Sequence, residues 1–383
     1  MIFSAMNLLL SKPSKRAVMA GLSIIAVAAC SPPPSSKILL DATASGIVDN
    51  YQSLSLASQS LATAAETFCQ APNDNSKYEQ LQSHWKSTTE RWSAVQNIQF
   101  GPLMIDNQAW KIQFWPDKKN LIARKVEALL KTEEPLTLER VDDASVVVQG
   151  LSSLEYLLFD SKAGQQTRYS EPQGQRRCEL LVAVTSHLQA VANGLYNDWH
   201  AEGGNYLATF TSTGEKNPEF PDDNVAIAYL LDTLVSGIEL IKRDKLENPL
   251  AITTSNNTQS RAPQTQIYQL EWWRSQYSKE AIIINLKTLE HIFNGGEAYG
   301  IDDYLNEAKQ QGPLSEKIKQ GFEKSIAAAS AIDNSLFSIA NIPEQRPSLL
   351  TLHNELAKLL ALLRNELPAA LGVSLGFNSK DGD

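Results

Sequence analysis

The sequence predicts an all-α protein. Three observations carry that prediction: apolar residues recur at helical spacing through the long segments, no segment sustains a period of two, and the breaks between segments are rich in Gly, Pro, Asn and Ser. With 383 residues, 43% of them hydrophobic, the chain is long enough for one or two domains with a sizeable core.

The first 29 residues read as standing outside that core. Lys12, Lys15 and Arg16 precede a short apolar run from Ala17 to Ala29. A basic start, a greasy stretch too brief to span a bilayer and small residues before Cys30 describe an export signal. Cysteine directly after the cut resembles the lipobox of bacterial lipoproteins, which implies a lipid on Cys30. A signal cut elsewhere is the alternative. Ser31, where aspartate would divert sorting, fits an outer-membrane destination facing the periplasm. Residues 30–37, with Ser31-Pro-Pro-Pro-Ser-Ser36, read as a tether.

Beyond it, helices are expected at residues 38–69, 76–100, 120–131, 146–159, 177–200, 225–246, 267–278, 279–294, 314–339 and 347–367. Polar breaks at 161–176, 202–224 and 247–266 separate several of them. Trp85 and Trp92 lie seven apart and share a face, which makes them core residues by default.

The chain is organised around residues 146–159, V-V-V-Q-G-L-S-S-L-E-Y-L-L-F, expected to be one helix capped by Asp142 or Asp143. Val147, Leu151, Leu154 and Leu158 make an apolar face; Gln149, Ser153, Tyr156 and Asp160 make a wetter one. The third stripe runs Val148, Ser152, Glu155, Phe159, with a hydroxyl and a carboxylate enclosed by apolar residues. A carboxylate there needs a partner. It is met either by an arginine or backbone N–H groups, or by a ligand or a metal. Gly150, unfavourable in a helix interior, points to close packing against the backbone. Arg91, among the tryptophans of its helix, is the expected counter-charge of Glu155.

Leu151-Ser-Ser-Leu-Glu155 can be laid on Leu286-Lys-Thr-Leu-Glu290 at a constant offset of 135. That echo divides the chain into two similar helical-bundle halves, 38–212 and 213–383, with a cleft where they meet. Lys287 and Glu290 in the second copy read as a surface or interface ion pair.

The net charge of −9 becomes about −12 once the leader's three cations are removed, and no basic cluster exists, so nucleic acid is excluded as a partner. Cys69 and Cys178 remain besides Cys30, and two cysteines in an exported chain are expected to pair. Two buried thiols are the alternative.

Four stretches resemble the imelysin family, also known as the insulin-cleaving membrane protease family. They are His84-Trp85…Arg91-Trp92…Phe100-Gly101-Pro102, Gly150…Glu155-Tyr-Leu-Leu-Phe, Asn294-Gly-Gly-Glu-Ala-Tyr-Gly300, and the ending Gly376-Phe-Asn-Ser-Lys-Asp-Gly-Asp383. The resemblance implies an exported protein of two helical halves, a site at their interface, and a link to iron uptake or regulation. It also brings a peptidase label and the pattern G-x-H-x-x-E. Gly150 and Glu155 match that pattern, but the histidine position holds Ser152. A neutral hydroxyl is a poor ligand for zinc or iron.

Other chemistries are missing from the sequence. There is no H-E-x-x-H, no histidine begins H-x-x-E or ends E-x-x-H, and no Gly-x-Ser-x-Gly or phosphate-cradling glycine loop occurs. Ser83-His-Trp-Lys86 fits S-x-x-K by coincidence. Asn378, Asp381 and Asp383 form an acidic tail, either solvated or folded back over the interface. The expectation is therefore a lipid-anchored binding protein tied to the membrane through Cys30, holding a small ligand or an iron-related species near Ser152, Glu155 and Arg91. Peptidase and site-free envelope interaction protein are the alternatives, and whether iron or another divalent metal binds is open.

Overall fold

A computed structural model describes residues 36–252 and 265–374, and these are helices and turns with no strand. The leader, the lipidation site at Cys30, most of the tether and the Asn378/Asp381/Asp383 tail lie outside the described residues.

The longest helix, Ser36–Cys69, buries Leu40, Ala44, Ile47, Tyr51, Leu54, Ser58, Leu61, Ala65 and Phe68, a stripe at spacings of three and four. It packs along two partners, Asn75–Val95 and Gly174–Trp199. Asp74 starts the first of these by accepting from the Ser76 and Lys77 N–H groups. Cys69, the last residue of the long helix, is bonded to Cys178 near the start of Gly174–Trp199. Trp85 and Trp92 are both buried, as their shared face predicts.

The central helix is shorter than expected. Val146–Val148 is a 3-10 turn capped by Ser145, Gln149 is extended, and the α-helix runs from Gly150 to Phe159. Neither Asp142 nor Asp143 caps it; Asp142 instead pairs with His187 Nε2 at 3.1 Å and with Lys111. The expected wet face is also buried: Gln149, Ser153 and Tyr156 are all 6% exposed or less, so this helix is enclosed on every side. The buried Gln149 Nε2 donates to the carbonyls of Val141, Asp142 and Ala144, while its Oε1 has no partner.

Downstream, Asp223–Glu239 continues into a π-helical stretch, Leu240–Glu247. This stretch is long and apolar enough to cross a membrane by composition, yet Ile227, Leu230, Leu231, Leu234 and Ile238 are fully buried core residues. Residues 267–278 are not a helix. A 3-10 turn at Ile267–Gln269 gives way to an irregular segment with positive φ at Trp272 (53°) and Gln276 (58°). The expected helix 314–339 divides into Gly312–Ser330 and Leu336–Ile339, and the 202–224 break contains a short helix, Tyr206–Thr211. Ser278–Asn294 packs against Gly312–Ser330, Asp223–Glu239 and Asn75–Val95. It thus carries contacts from late residues into early ones.

The Cys69–Cys178 bond closes a separation of 109 residues. Replacing both cysteines by serine is expected to lower the unfolding free energy by about 4 kcal/mol on chain-entropy grounds. Urea melts with and without reductant check this; equal midpoints for the two proteins under oxidising conditions would contradict it.

Candidate functional site

The site is built from one close approach. Gly150 adopts φ +62°, and a Cβ there would lie 2.2 Å from the Ile112 carbonyl oxygen and 2.4 Å from that of Lys111. No other residue fits that position. The contact presses the start of the central helix onto the short helix Gln108–Ile112. Trp85 fixes the other side: its indole donates to the Leu151 carbonyl at 3.0 Å, and its ring lies 4.8 Å from Phe159 and 5.4 Å from Trp272.

Glu155, 3% exposed, points into the irregular segment that follows Gln269. One carboxylate oxygen accepts from the Ser275 N–H at 3.0 Å and from the Ser275 hydroxyl at 2.8 Å. Burial pushes its carboxyl above the ordinary range, while the Ser275 N–H and the nearby Arg274 guanidinium pull the other way. Arg274 is the counter-charge, not Arg91. The reason is helical phase: Trp92 faces inward, and Arg91, one residue earlier, is turned by about 100° into solvent. Arg274 itself reaches Asp160 at 3.2 Å and Asn120 at 2.9 Å, and lies over Trp273 at 4.3 Å. Ser152 is buried one turn before Glu155. At the position laid on Glu155 in the sequence, Glu290 is half-buried with its carboxyl raised by burial and by Glu323, and Lys287 opposes the shift.

Four residues before Ser275 the same segment supplies a second buried group. Glu271 accepts from Lys245 Nζ at 2.7 Å, and Lys245 also donates to Asn285 Oδ1 at 2.6 Å. Both charged side chains are 2% exposed or less. Burial lowers the Lys245 ammonium's affinity for its proton, and Glu271 restores part of it. Gln113 Nε2 donates to the other Glu271 oxygen at 2.9 Å, while its Oε1 accepts from the Trp92 indole at 2.5 Å. Asn285 donates to the Ser93 carbonyl at 2.7 Å. One connected network thus fixes Gln113 and Trp92.

Above those two residues opens a cleft of about 500 Å³ lined also by Gln96, Trp110, Trp115 and Asp244. That volume falls within the usual range for ligand pockets. Its walls come from residues 92–118 and 240–269. A second cleft, of about 610 Å³, adjoins it through the shared residues Lys118 and Gln269.

The family model described as imelysin matches residues 47–363. The chain belongs to the imelysin family. No curated protein matches it in sequence. Among solved structures, an imelysin-like protein from Psychrobacter arcticum 273-4 superposes with a TM-score of 0.71 at 19% identity, over 89% of this chain and 97% of that one. A candidate iron-regulated protein A precursor from Parabacteroides distasonis ATCC 8503 superposes at 0.70 with 15% identity over the same shares. These likenesses establish the helical imelysin fold.

A metal at the family's motif position does not fit the residues of this imelysin. Ser152 stands where an imidazole would bind, Glu155 is taken up by Ser275, and no three His, Cys, Asp or Glu side chains among the described residues are grouped to hold an ion. Ser152 has no activating chemistry in its sequence neighbourhood either. The expected residues Ser152 and Glu155 lie together in the core; Arg91 is apart from them.

Sequence reasoning missed Ser275, Arg274 and the Lys245–Glu271 pair. A signal for Lys245 existed: it follows Leu234, Ile238 and Ile241 at spacings of four, three and four, which places it on the buried face. Asn285 follows Ala281 and Ile282 in the same way.

Two outcomes are expected. Because the folded Glu155 holds its proton more tightly than the unfolded chain does, its contribution is full below about pH 4.5 and is lost as pH rises through the higher folded value. Glu155→Gln should therefore gain stability relative to wild type between pH 4.5 and neutrality, read from paired urea melts; a difference independent of pH contradicts this. Lys245→Met, which strands the Glu271 carboxylate, should cost about 3–5 kcal/mol, with a smaller loss in Lys245→Met/Glu271→Leu. Equal losses would deny the coupling.

Proposed function

We propose that this imelysin is a lipid-anchored, periplasm-facing binding protein serving iron uptake or its regulation. Its ligand occupies the cleft over Gln113 and Trp92, whose walls draw on both halves of the chain. The carrying observation is the division between two neighbouring places. At the motif position the carboxylate is enclosed and already hydrogen-bonded by Ser275. At the cleft, an open volume sits over side chains held by a buried ion pair. Preorganised groups beside an accessible space are what a binding site requires. The iron link draws on family membership and on the name of the Parabacteroides relative. The anchor draws on the leader and on Cys30.

Proteolysis is disfavoured by the same division, because an enclosed Glu155 without a histidine offers neither a metal-bound water nor a general base to a peptide. Purified protein should carry less than stoichiometric zinc and iron by mass spectrometry and leave insulin intact. One metal per chain, lost in Glu155→Ala together with insulin cleavage, would establish the peptidase instead. Cys30→Ser should move the protein from the membrane to the soluble periplasmic fraction, and a deletion strain should grow more slowly than its parent only when iron is chelated.

A further inference from the structure

The two adjoining clefts differ in character, and the difference describes a ligand with two unlike ends. The first, over Trp92 and Gln113, has apolar walls from Leu103, Met104, Ala109, Trp110, Trp115 and Leu240. Its mouth is apolar as well. Met104 is 58%, Ile105 59% and Trp110 44% exposed, so three of the eight large hydrophobic side chains exposed among the described residues fall within seven positions. The backbone presents them: Asp106 and Asn107 are both left-handed, with φ of 49° and 59°, and turn the chain sharply behind Ile105. Apolar side chains held out at the rim of an apolar cleft mark a place where a greasy body is met.

The second cleft is polar and positive. Lys118 lines both clefts and Lys119 the second, and neither ammonium has an ion-pair or hydrogen-bond partner among the described residues. The acids close by are engaged. Asp244 pairs with Arg243 Nε at 3.4 Å and accepts from Asn248 Nδ2 at 3.0 Å. Asp117 accepts from the Leu121 and Ile122 N–H groups at 2.7 and 3.0 Å. Setting the Asp117 carboxylate against Lys118 and Lys119 leaves one net positive charge in this lining. Asn120 and Gln266, also in it, accept through their oxygens from Arg274 and Gln269, which leaves their amide N–H groups available. Because Lys118 and Gln269 belong to both clefts, one ligand can run from the apolar part into the charged one.

We propose that the paired clefts bind a single-chain lipid with a monoanionic phosphodiester head, a lysophospholipid of the phosphatidylglycerol type. The acyl chain lies in the first cleft against Leu103, Trp110 and Leu240, where it leaves water. The phosphodiester sits at Lys118 and Lys119, and its single negative charge answers the single positive charge of the lining. The glycerol hydroxyls meet Asn120 and Gln266. A free fatty acid carries the same charge but leaves the second cleft, of about 610 Å³, unfilled. A zwitterionic choline head brings a cation against the two lysines. This inference rests on the reading of the first cleft as the ligand site and stands apart from the iron link.

The test titrates the intact protein with myristoyl lysophosphatidylglycerol, below its micelle concentration, by calorimetry and tryptophan fluorescence. The lauroyl homologue, myristoyl lysophosphatidylcholine, myristate and ferric citrate serve as the other probes. The myristoyl glycerol lipid should bind saturably with a Kd of roughly micromolar order. Its lauroyl homologue, two methylenes shorter, should bind at least ~5-fold more weakly, and the choline lipid and myristate at least ~10-fold more weakly. Lys118→Gln/Lys119→Gln should bring the glycerol lipid down to the affinity of the choline lipid and leave the latter unchanged. Trp110→Ala should weaken both by at least ~5-fold. All three positions are exposed, so these variants should melt with the wild type. No saturable binding of the glycerol lipid, equal affinity for the choline lipid or myristate, or indifference to the double substitution overturns the phosphodiester lipid. If ferric citrate then binds in a Trp110-dependent way, the lipid falls and the cleft remains the ligand site. If no probe binds in a Trp110-dependent way, both readings fall.

Discussion

One clasp organises the molecule: the Glu155 carboxylate holding the N–H and hydroxyl of Ser275, 120 positions away in sequence. A charge buried this deeply stays tolerable only while its donors remain in place. The irregular segment from Glu271 to Tyr277 therefore has one fixed course. That course puts Trp272 against Trp85, Arg274 between Asp160 and Asn120, and Glu271 under Gln113. The helix Ser278–Asn294 departs from its end, and with it Asn285, which completes the Lys245 network. Loosening the clasp would release both the aromatic packing and the floor of the cleft.

The fold was largely legible in the sequence, and particular residues show why. Leu40 to Phe68, or Ile227 to Ile238, repeat at a helix's period and have one solution. Glu155 was legible as a buried acid because Val148 and Phe159 enclose its stripe. Its partner was not. Ser275 lies in a stretch whose apolar spacing imitates a helix, and the residues that break it, Trp272 and Gln276, take positive φ without being glycine. Such conformations are imposed by tertiary contacts and leave no local mark. The cleft was hidden for a related reason, since its walls gather residues separated by more than a hundred positions. No local pattern encodes that meeting.

The molecule separates a closed polar centre from an open one. At Glu155 the carboxylate is held within the chain by the Ser275 N–H and hydroxyl, which suits rigidity. Around Gln113 the inner hydrogen bonds are satisfied and the outward side opens onto the cleft. With Ser152 buried and Glu155 taken up by Ser275, this arrangement moves interest from the central helix to the surface beside it. The Glu155 carboxylate serves as a joint.

The Cys69–Cys178 bond has a consequence for how the molecule comes into being. It ties the far end of the first helix to a residue synthesised much later, so the bond can form only once the chain through Cys178 has been made and an oxidant reaches both thiols. Until then, Ser36–Cys69 is an untied arm that must find its groove by hydrophobic contact alone. Synthesis and locking are thereby ordered in time: the chain through Cys178 comes first, and the bond closes behind it.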